Sequence, residues 1–236
     1  GALALTNGIV DGETNNKIVT VGLSGSAGTG SNTSHVRGKL SRIIPVADIG
    51  VAKNFPVGKS GNWRPVSLTY TALDATSTVT AEQFESTIVG TLPANTLLFG
   101  DRHWNVSQTG GSTFTYDITL DATGFSLLTA DPIILKDPDV PPLTSFVATE
   151  LSSQFTSTGI TSFSNFAAAG NCPPPTFTLN PVDSIRCVGQ SVTFTATGTA
   201  PGGISYQWRK NGTNLTDGGN ISGSTNDSLT INPISA

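Results

Sequence analysis

Short runs in which apolar residues alternate with threonine or serine recur along the whole chain, and they constrain its fold more than any other feature. Four such runs are Lys17–Val21, Val66–Thr71, Phe114–Leu120 and Ser191–Ala196. This alternation places one face of a strand on a core and the other face in water. Turn signals such as Asp11-Gly12 and Asn211-Gly212 separate the runs. The sequence therefore predicts an all-β protein, and its one helix prediction is a single turn over Ala81–Glu85.

The composition agrees with strands and excludes several classes of protein. The 34 threonines and 25 serines make up a quarter of the 236 residues, while charged residues are only 12%, about half the usual share. The 36% of hydrophobic residues is enough for a packed core. The net charge of −4 and the scattered Lys and Arg argue against nucleic-acid binding. No apolar run approaches the ~20 residues that would span a membrane.

Small residues and prolines predict a division into two β-sandwich units. The run Ala167–Gly170, followed by three prolines, is not expected to sustain a helix or a central strand, and it is typical of a semi-rigid spacer. We predict a first module over residues 31–170, a linker over 171–175 and a second unit over 176–236. Residues 1–30 are predicted to add two opening strands, either as a hairpin or as the last coil of a β-solenoid that lies upstream. The lack of a starting methionine favours a segment of a longer chain.

One segment of the first module resembles a known family. Asn54–Val66, with the sequence NFPVGKSGNWRPV, is similar to a motif in very large surface proteins of Bacteroidetes that are exported by type IX secretion. Segments like Ser34–Leu40, Arg102–Val106 and Gly159–Phe166 accompany that motif in the same order. The resemblance implies an extracellular module at the bacterial cell surface, of the kind found in adhesins, filament-like proteins and the non-catalytic parts of secreted enzymes.

The second unit resembles an immunoglobulin-like repeat of the same proteins. Cys187–Phe194 matches an early strand, Tyr206–Gly212 the strand with the core tryptophan, and Ser228–Ile231 a later strand. An immunoglobulin-like sandwich needs about 100 residues, which is more than residues 176–236 supply. We expect a truncated domain, or one whose missing strands come from a neighbour by strand addition.

The two cysteines allow two structural interpretations. Cys172 and Cys187 lack a CxxC pair or clustered histidines, which argues against a zinc site. A disulfide between them would suit an exported protein. The family resemblance instead implies that Cys187 pairs with a cysteine in the missing strands, so both alternatives stay open.

Candidate chemistry is sparse elsewhere in the sequence. His35 and His103 are the two available bases, and no Gly-x-Ser-x-Gly motif is present, so we expect no catalytic residues and no enzyme activity. Calcium is the one cofactor hypothesis, because Asp131, Asp137 and Asp139 are predicted to lie in a single Pro-rich loop. A solvated acidic loop is the simpler interpretation of these three residues.

Two predictions concern sugars, one for carbohydrate contact and one for glycosylation. Trp63 with Arg64 is a candidate for carbohydrate contact through an exposed indole, although the pair could instead pack at a sheet end with Arg64 stacked on the ring. The family resemblance also implies bacterial O-glycosylation at Asp-Ser/Thr-apolar sites, here at Ser184 and Ser228.

The sequence thus predicts a non-catalytic extracellular segment that has a structural or adhesive role in a large bacterial cell-surface or filament protein. Its expected partners are neighbouring modules of the same protein and copies of itself in an end-to-end assembly, with a glycan as a further candidate. The alternative function is a carbohydrate-binding accessory module of a secreted glycan-degrading enzyme. The predicted cores are Phe55, Val57, Trp104, Phe114, Tyr116, Ile118 and Phe163 in the first unit, and Val192, Phe194, Tyr206, Trp208, Leu229 and Ile231 in the second.

Overall fold

The computed structural model describes residues 2–23, 25–98, 100–124, 131–137, 143–200 and 203–235. Strands dominate this part of the chain, and its one helical element is a 3-10 turn over Val46–Asp48. No helix within the described residues is long and apolar enough to cross a membrane. The prediction of an all-β fold is confirmed.

The chain divides into two compact units, with the boundary between Asn171 and Cys172. Residues 172–175, which include the three prolines, belong to no strand. The boundary therefore falls inside the segment predicted as the linker.

Unit 1 is built from short strands in three sheets. In chain order the strands are β1 (Val10–Asp11), β2 (Ile18–Val21), β3 (Val36–Arg37), β4 (Lys39–Ile44), β5 (Lys53–Phe55), β6 (Val57–Lys59), β7 (Asn62–Trp63), β8 (Val66–Leu73), β9 (Ser77–Phe84), β10 (Thr96–Leu98), β11 (His103–Thr109), β12 (Phe114–Asp121), β13 (Asp131–Lys136), β14 (Thr144–Val147), β15 (Thr149–Leu151), β16 (Gln154–Ile160) and β17 (Ser164–Asn171). A large sheet has the order β14-β13-β17-β11-β9-β4-β2, with β10 also paired to β17. A second sheet has the order β15-β16-β12-β8-β5, and an N-terminal sheet has the order β1-β3-β6-β7.

The core of unit 1 comes from alternate residues of the large and second sheets. Tyr70 and Tyr116 lie fully inside it on β8 and β12, and burial raises the pKa of both phenols well above the ordinary value. The Tyr70 hydroxyl donates a hydrogen bond to Gln108 Oε1 on the large sheet, which ties the two layers together. The Tyr116 hydroxyl donates to the Ser162 carbonyl at 2.8 Å.

The predicted first core is largely correct. Five of its seven members are fully buried, namely Phe55, Val57, Trp104, Tyr116 and Ile118. Phe114 and Phe163 are only half-buried. The Phe163 ring stacks on Tyr116 with 4.5 Å between ring centroids, so it covers the edge of the core.

The predicted helical turn over Ala81–Glu85 is wrong. Residues 81–84 are the second half of β9, which pairs with β4 on one side and β11 on the other. Val79, Ala81 and Gln83 alternate as buried residues along this strand. Burial of alternate side chains between two neighbours outweighs the weak local helix preference of Ala-Glu-Gln.

The prediction that the Ala167–Gly170 run cannot form a central strand is also wrong. These residues lie in β17, which pairs with β13 on one side and with β10 and β11 on the other. Ala167 and Ala169 pack in a buried cluster that includes Ile133 and Leu135. Small side chains fit here because large aliphatic residues of neighbouring strands fill the space.

The two opening strands do not form a hairpin, so that alternative is wrong. β1 pairs in parallel with β3, and β2 pairs in parallel with β4. The strands β1 and β2 therefore belong to different sheets. The parallel pairing of both strands with the next stretch of chain is the arrangement of stacked coils rather than of a hairpin.

Unit 2 has smaller sheets and a smaller core. Its strands are β18 (Thr176–Leu179), β19 (Val192–Thr195), β20 (Thr197–Thr199), β21 (Arg209–Lys210), β22 (Thr213–Asn214), β23 (Ile221–Ser222) and β24 (Ser228–Ile231). They form the sheets β18-β20, β19-β24-β23 and β21-β22.

Only part of the predicted second core is buried. Val192 and Leu229 are buried, whereas Phe194, Tyr206, Trp208 and Ile231 are half-buried. The Trp208 indole still donates from Nε1 to the Asn226 carbonyl at 2.8 Å. Sheets of two or three strands cover too little area to enclose these large side chains.

Candidate functional site

The predicted sugar-contact residues Trp63 and Arg64 follow a tight hairpin turn. Ser60 and Gly61 connect β6 to β7, and both have positive φ, at 53° and 79°. Two consecutive residues of this kind make the turn that matches the twist of a β-hairpin. The turn thus fixes the direction in which the chain delivers the indole and the guanidinium.

The Trp63 indole is held in place by close packing. Its backbone N–H donates to Asn32 Oδ1 at 2.9 Å. A Cβ atom at Gly30 would lie 2.7 Å from Trp63 Nε1 and 2.9 Å from Pro56 Cβ, and Gly30 has a φ of +81°. Glycine is therefore required at position 30, on both conformational and steric grounds. Trp63 Nε1 is buried and has no acceptor among the described residues.

Arg64 belongs to a largely buried network of charges, with Glu85 at its exposed side, rather than to an open binding surface. Its side chain is 16% exposed, with Nη1 3.5 Å from Asp121 Oδ2 and Nε 3.6 Å from Glu85 Oε1. Arg102 Nη1 donates to the same Asp121 oxygen at 3.2 Å. Two guanidinium groups thus share one carboxylate, with Glu85 as the second anion.

Thr123 forms hydrogen bonds with both Arg102 and Asp121. Arg102 Nη2 donates to the Thr123 carbonyl at 3.1 Å, and the Thr123 hydroxyl donates to Asp121 Oδ1 at 2.6 Å. Burial lowers the pKa of Arg102, and the nearby Arg64 cation lowers it further, while Asp121 and Glu85 act in the opposite direction. Desolvated ion pairs are stable only when well-placed contacts offset the cost of removing the charges from water. Asp121 is the carboxylate that contacts both cations.

A cavity of about 200 Å³ lies beside this network in unit 1. It is lined by Thr29, Asn54, Trp63, Pro65, Ser67, Thr119, Leu120, Asp121 and Gln154. Most of these side chains carry a hydroxyl, amide or carboxylate, and Trp63 adds an aromatic ring to the lining.

Strand register explains why these polar residues meet. Asn54 pairs with Ser67, Ser67 with Thr119, and Thr119 with Thr156. Each of the four is half-buried, whereas the residue that follows each of them in its strand is buried. The row therefore crosses the outer face of the second sheet, as strand alternation requires.

This arrangement suits a small ligand with many hydroxyl groups. Hydroxyls and amides supply both donors and acceptors, and an indole supplies a flat apolar surface. The described cavity brings together Trp63 and four polar residues that sequence reasoning missed, namely Asn54, Ser67, Thr119 and Gln154. Alternation marks three of them as outward-facing, but only the register shows that they are adjacent.

The prediction that Asp131 and Asp137 lie in one loop is wrong. The six-residue strand β13 runs from Asp131 to Lys136, so the two carboxylates are separated by about 20 Å of extended chain. They cannot share a calcium ion. Asp137 Oδ2 instead accepts a hydrogen bond from Asn165 Nδ2 at 3.2 Å.

Asp139 lies outside the described residues, so its part in calcium binding stays a prediction. Within the described ranges, no group of three or more His, Cys, Asp or Glu side chains is placed to hold a metal ion.

Both cysteines of the predicted disulfide are exposed free thiols. Neither Cys172 nor Cys187 forms a disulfide in the structure. Cys187 lies in a strand-free stretch whose apolar side chains are also exposed, including Ile185 at 95%.

The predicted glycosylation sites lie in different environments. Ser184 is half-buried in a segment without strands. Ser228 begins β24, and its Oγ is 3.4 Å from Thr195 Oγ1 on the paired strand. Modification at either serine stays a prediction.

The two histidines are packed against their surroundings. His35 is fully buried, with Nδ1 3.1 Å from the Ser31 carbonyl. His103 stacks on Phe84 with 4.8 Å between ring centroids, and its Nδ1 lies 2.7 Å from the Ser86 carbonyl. The Nδ1 atom of each histidine thus contacts a backbone carbonyl oxygen, an interaction that orients the ring.

A second cavity, of about 350 Å³, lies in unit 2 and is mostly apolar. Its walls include Phe177, Ile204, Tyr206 and Trp208. Its walls are large side chains that the small sheets of unit 2 leave half-buried or, for Phe177, exposed.

Comparison of the chain with protein-family models, with curated proteins and with solved structures found no match in any of the three.

Proposed function

We propose that the chain is a non-catalytic, extracellular segment with a structural or adhesive role in a large bacterial cell-surface or filament protein. The family resemblance of residues 31–170 supports this proposal, and it implies export by type IX secretion. The second unit would be an immunoglobulin-like domain. Its partners would be neighbouring modules of the same protein, with copies of the chain as the alternative.

The observation that carries the proposal is the way hydroxyl groups join neighbouring strands. Thr119 and Thr156 are paired with 2.9 Å between their hydroxyl oxygens, and Thr193 and Thr230 with 3.0 Å. Further pairs are Ser41–Thr80, Thr176–Thr199 and Thr178–Thr197. Cross-strand threonine pairs stabilise sheets and, unlike exposed ion pairs, they do not depend on salt. The outer faces thus serve stability, which is what a spacer requires.

Surface labelling of intact cells tests this proposal. Antibodies raised against the purified chain are expected to label unpermeabilised cells of the source bacterium, because the segment would lie outside the cell. Flow cytometry before and after permeabilisation measures this. Labelling that occurs only after permeabilisation would overturn the proposal, and cells that lack the gene are the control for antibody specificity.

The alternative function, carbohydrate binding, is favoured by one specific observation. The cavity beside Trp63 combines an indole with the polar row of Asn54, Ser67 and Thr119. Binding sites of this type are concave and use a few placed polar groups. The ligand would be a sugar unit of a surface polysaccharide.

Affinity gels separate the two functions. If the cavity binds sugar, migration is retarded in native gels that contain xylan, glucomannan or alginate, and Ser67→Ala weakens binding about fivefold through a lost hydrogen bond. Trp63→Ala would remove retardation. Thr69→Ala is the matched control, because Thr69 is half-buried two residues along the same strand and does not line the cavity. Equal migration in all gels would reject carbohydrate binding.

A further inference from the structure

The start of the chain forms one turn of a stacked coil, here called the opening coil (residues 3–23). Leu3 pairs in parallel with Ala27, Val10 with Val36, and Ile18 with Lys39. These partners are 24, 26 and 21 residues apart in the sequence. The stretch of residues 27–44 therefore repeats the path of the opening coil one layer below it.

Backbone hydrogen bonds join the two layers along the first strand. The Gly8, Val10 and Gly12 N–H groups donate to the carbonyls of Thr33, His35 and Arg37, at 3.1, 2.9 and 2.8 Å. Regular donation from every second residue is the ladder of a parallel sheet. The layers are thus joined by a regular interface rather than by isolated contacts.

The turn of the coil is repeated as well. Gly12 follows β1, and Gly38 follows β3 one layer below. A Cβ at Gly38 would lie 2.9 Å from the Glu13 backbone nitrogen, and one at Gly12 would lie 2.7 Å from the Lys17 carbonyl oxygen. Both layers therefore need glycine at the same place. At Gly38 the reason is the close approach of the layer above, and at Gly12 it is the tightness of the turn within the opening coil.

Aliphatic side chains form two columns through the layers. One column is Val57, Val36 and Val10, and the other is Ala81, Leu40 and Val19, each joined by strand register. The lower two members of each column are fully buried, whereas Val10 and Val19 are half-buried. Each column ends at the opening coil with a half-buried side chain, and no further strand of the described chain lies over it.

The outer edge of the opening coil is only partly protected. Asp11 lies in β1 and Lys17 just before β2, but β2 itself has no charged residue. β1 ends the N-terminal sheet and β2 ends the large sheet, and no described strand pairs with their outer sides. Edge strands normally carry lysine, proline or a bulge to prevent further pairing. β2 reads Ile-Val-Thr-Val, with Ile18 53% exposed.

We infer that this edge is the docking surface for another parallel β-coil of 21–26 residues. The occupant would place an aliphatic side chain over Val10 and another over Val19, with glycine at its turn. The interface continues one that already exists between residues 3–21 and 27–42, which is why a coil in parallel orientation is favoured over a second copy. A two-fold pair of copies would bring the edges together antiparallel.

This inference deepens the proposed function, since it names the kind of neighbouring module that the N-terminal end would bind. Repeats of this kind bury a continuous core only when neighbours stack on them. The two proposals fail separately: cells can display the chain whether or not a coil docks, and a coil can dock whatever the location of the protein.

A tandem variant tests the docking surface. Residues 3–26 are duplicated ahead of residue 3 in the full chain, so that the chain carries its own additional coil. Amide hydrogen exchange of β2 is expected to slow at least about tenfold, because the edge amides become paired and Val19 becomes covered. The matched control has the same duplication with both valines of the added copy, those equivalent to Val10 and Val19, changed to aspartate.

The outcomes are distinct. Slower exchange in the duplicated chain but not in the aspartate control supports docking of a coil. Equal exchange in the two duplicated chains overturns it. A dimer of the unmodified chain that protects β2, seen by sedimentation over a concentration series, would also overturn it, because a second copy would then be the occupant.

Discussion

Replacing Trp104 with alanine is expected to lower the free energy of unfolding of unit 1 by about 3–5 kcal/mol. The indole is fully buried on β11, between Gln83 of β9 and Phe166 of β17. Its Nε1 donates to the Arg64 carbonyl at 2.9 Å. The substitution therefore leaves a large cavity and removes the donor to the Arg64 carbonyl.

Urea unfolding followed by circular dichroism measures this effect. Trp104→Phe is the matched control, because it retains most of the ring volume and loses only the donor, and we expect it to cost about 1–3 kcal/mol. Both variants are compared with Thr69→Ala, which changes the half-buried outer face. A cost for Trp104→Ala below about 1 kcal/mol would contradict its place in the core.

Strands such as β12 could be predicted because the alternation of apolar and polar residues in the sequence matches the alternation of buried and half-buried residues in the structure. In β12, Tyr116, Ile118 and Leu120 are buried, and the residues between them are not. The sequence shows this alternation directly, so a period of two assigns both the strand and its inner face.

Strand β17 could not be predicted because its own residues carry no such signal. Ala167, Ala168 and Ala169 are all buried, so both faces of the strand are covered and no alternation is visible. What makes the segment a strand is the pairing with β13, β10 and β11, which lie far away in the sequence. A local pattern contains no information about neighbours of that kind.

The candidate site shows the same limit. The sequence identified Trp63 and Arg64, but not that Arg64 would lie against Asp121. It also placed Asp131 and Asp137 together, although a strand separates them. Which residues meet across a sheet depends on register, and a shift by one residue exchanges the two faces.

The core of unit 2 is more exposed than the sequence predicts, because the sheets of this unit are small. Trp208 was predicted as the centre of a core, yet it is half-buried and lines a cavity of about 350 Å³. Two of the predicted core residues do lie together, since Phe194 and Trp208 have 6.4 Å between ring centroids. Enclosing them requires more sheet than the described strands provide.

Replacing Asp121 with alanine is expected to destabilise unit 1 by about 3–5 kcal/mol. The Asp121 side chain is 7% exposed, and it faces both Arg102 and Arg64. Without it, the Arg64 and Arg102 guanidinium groups lose the carboxylate that both contact. The desolvation cost of the two cations is unchanged, so it is no longer offset by that carboxylate. Asp121→Asn should cost less, since the amide oxygen can still accept a hydrogen bond from the Thr123 hydroxyl.

The more exposed pair of Lys59 and Glu13 provides the comparison that isolates burial. Its Nζ and Oε1 atoms are 2.7 Å apart, closer than the contacts of Asp121 with either arginine, but the two side chains are 30% and 39% exposed. Because solvent screens such a pair, Glu13→Ala should cost at most about 1 kcal/mol. Urea unfolding of both alanine variants measures the two costs. Equal costs would mean that Asp121 does not balance the buried cations. A difference of about 2 kcal/mol or more would assign the stabilisation to the desolvated network rather than to short contact distance.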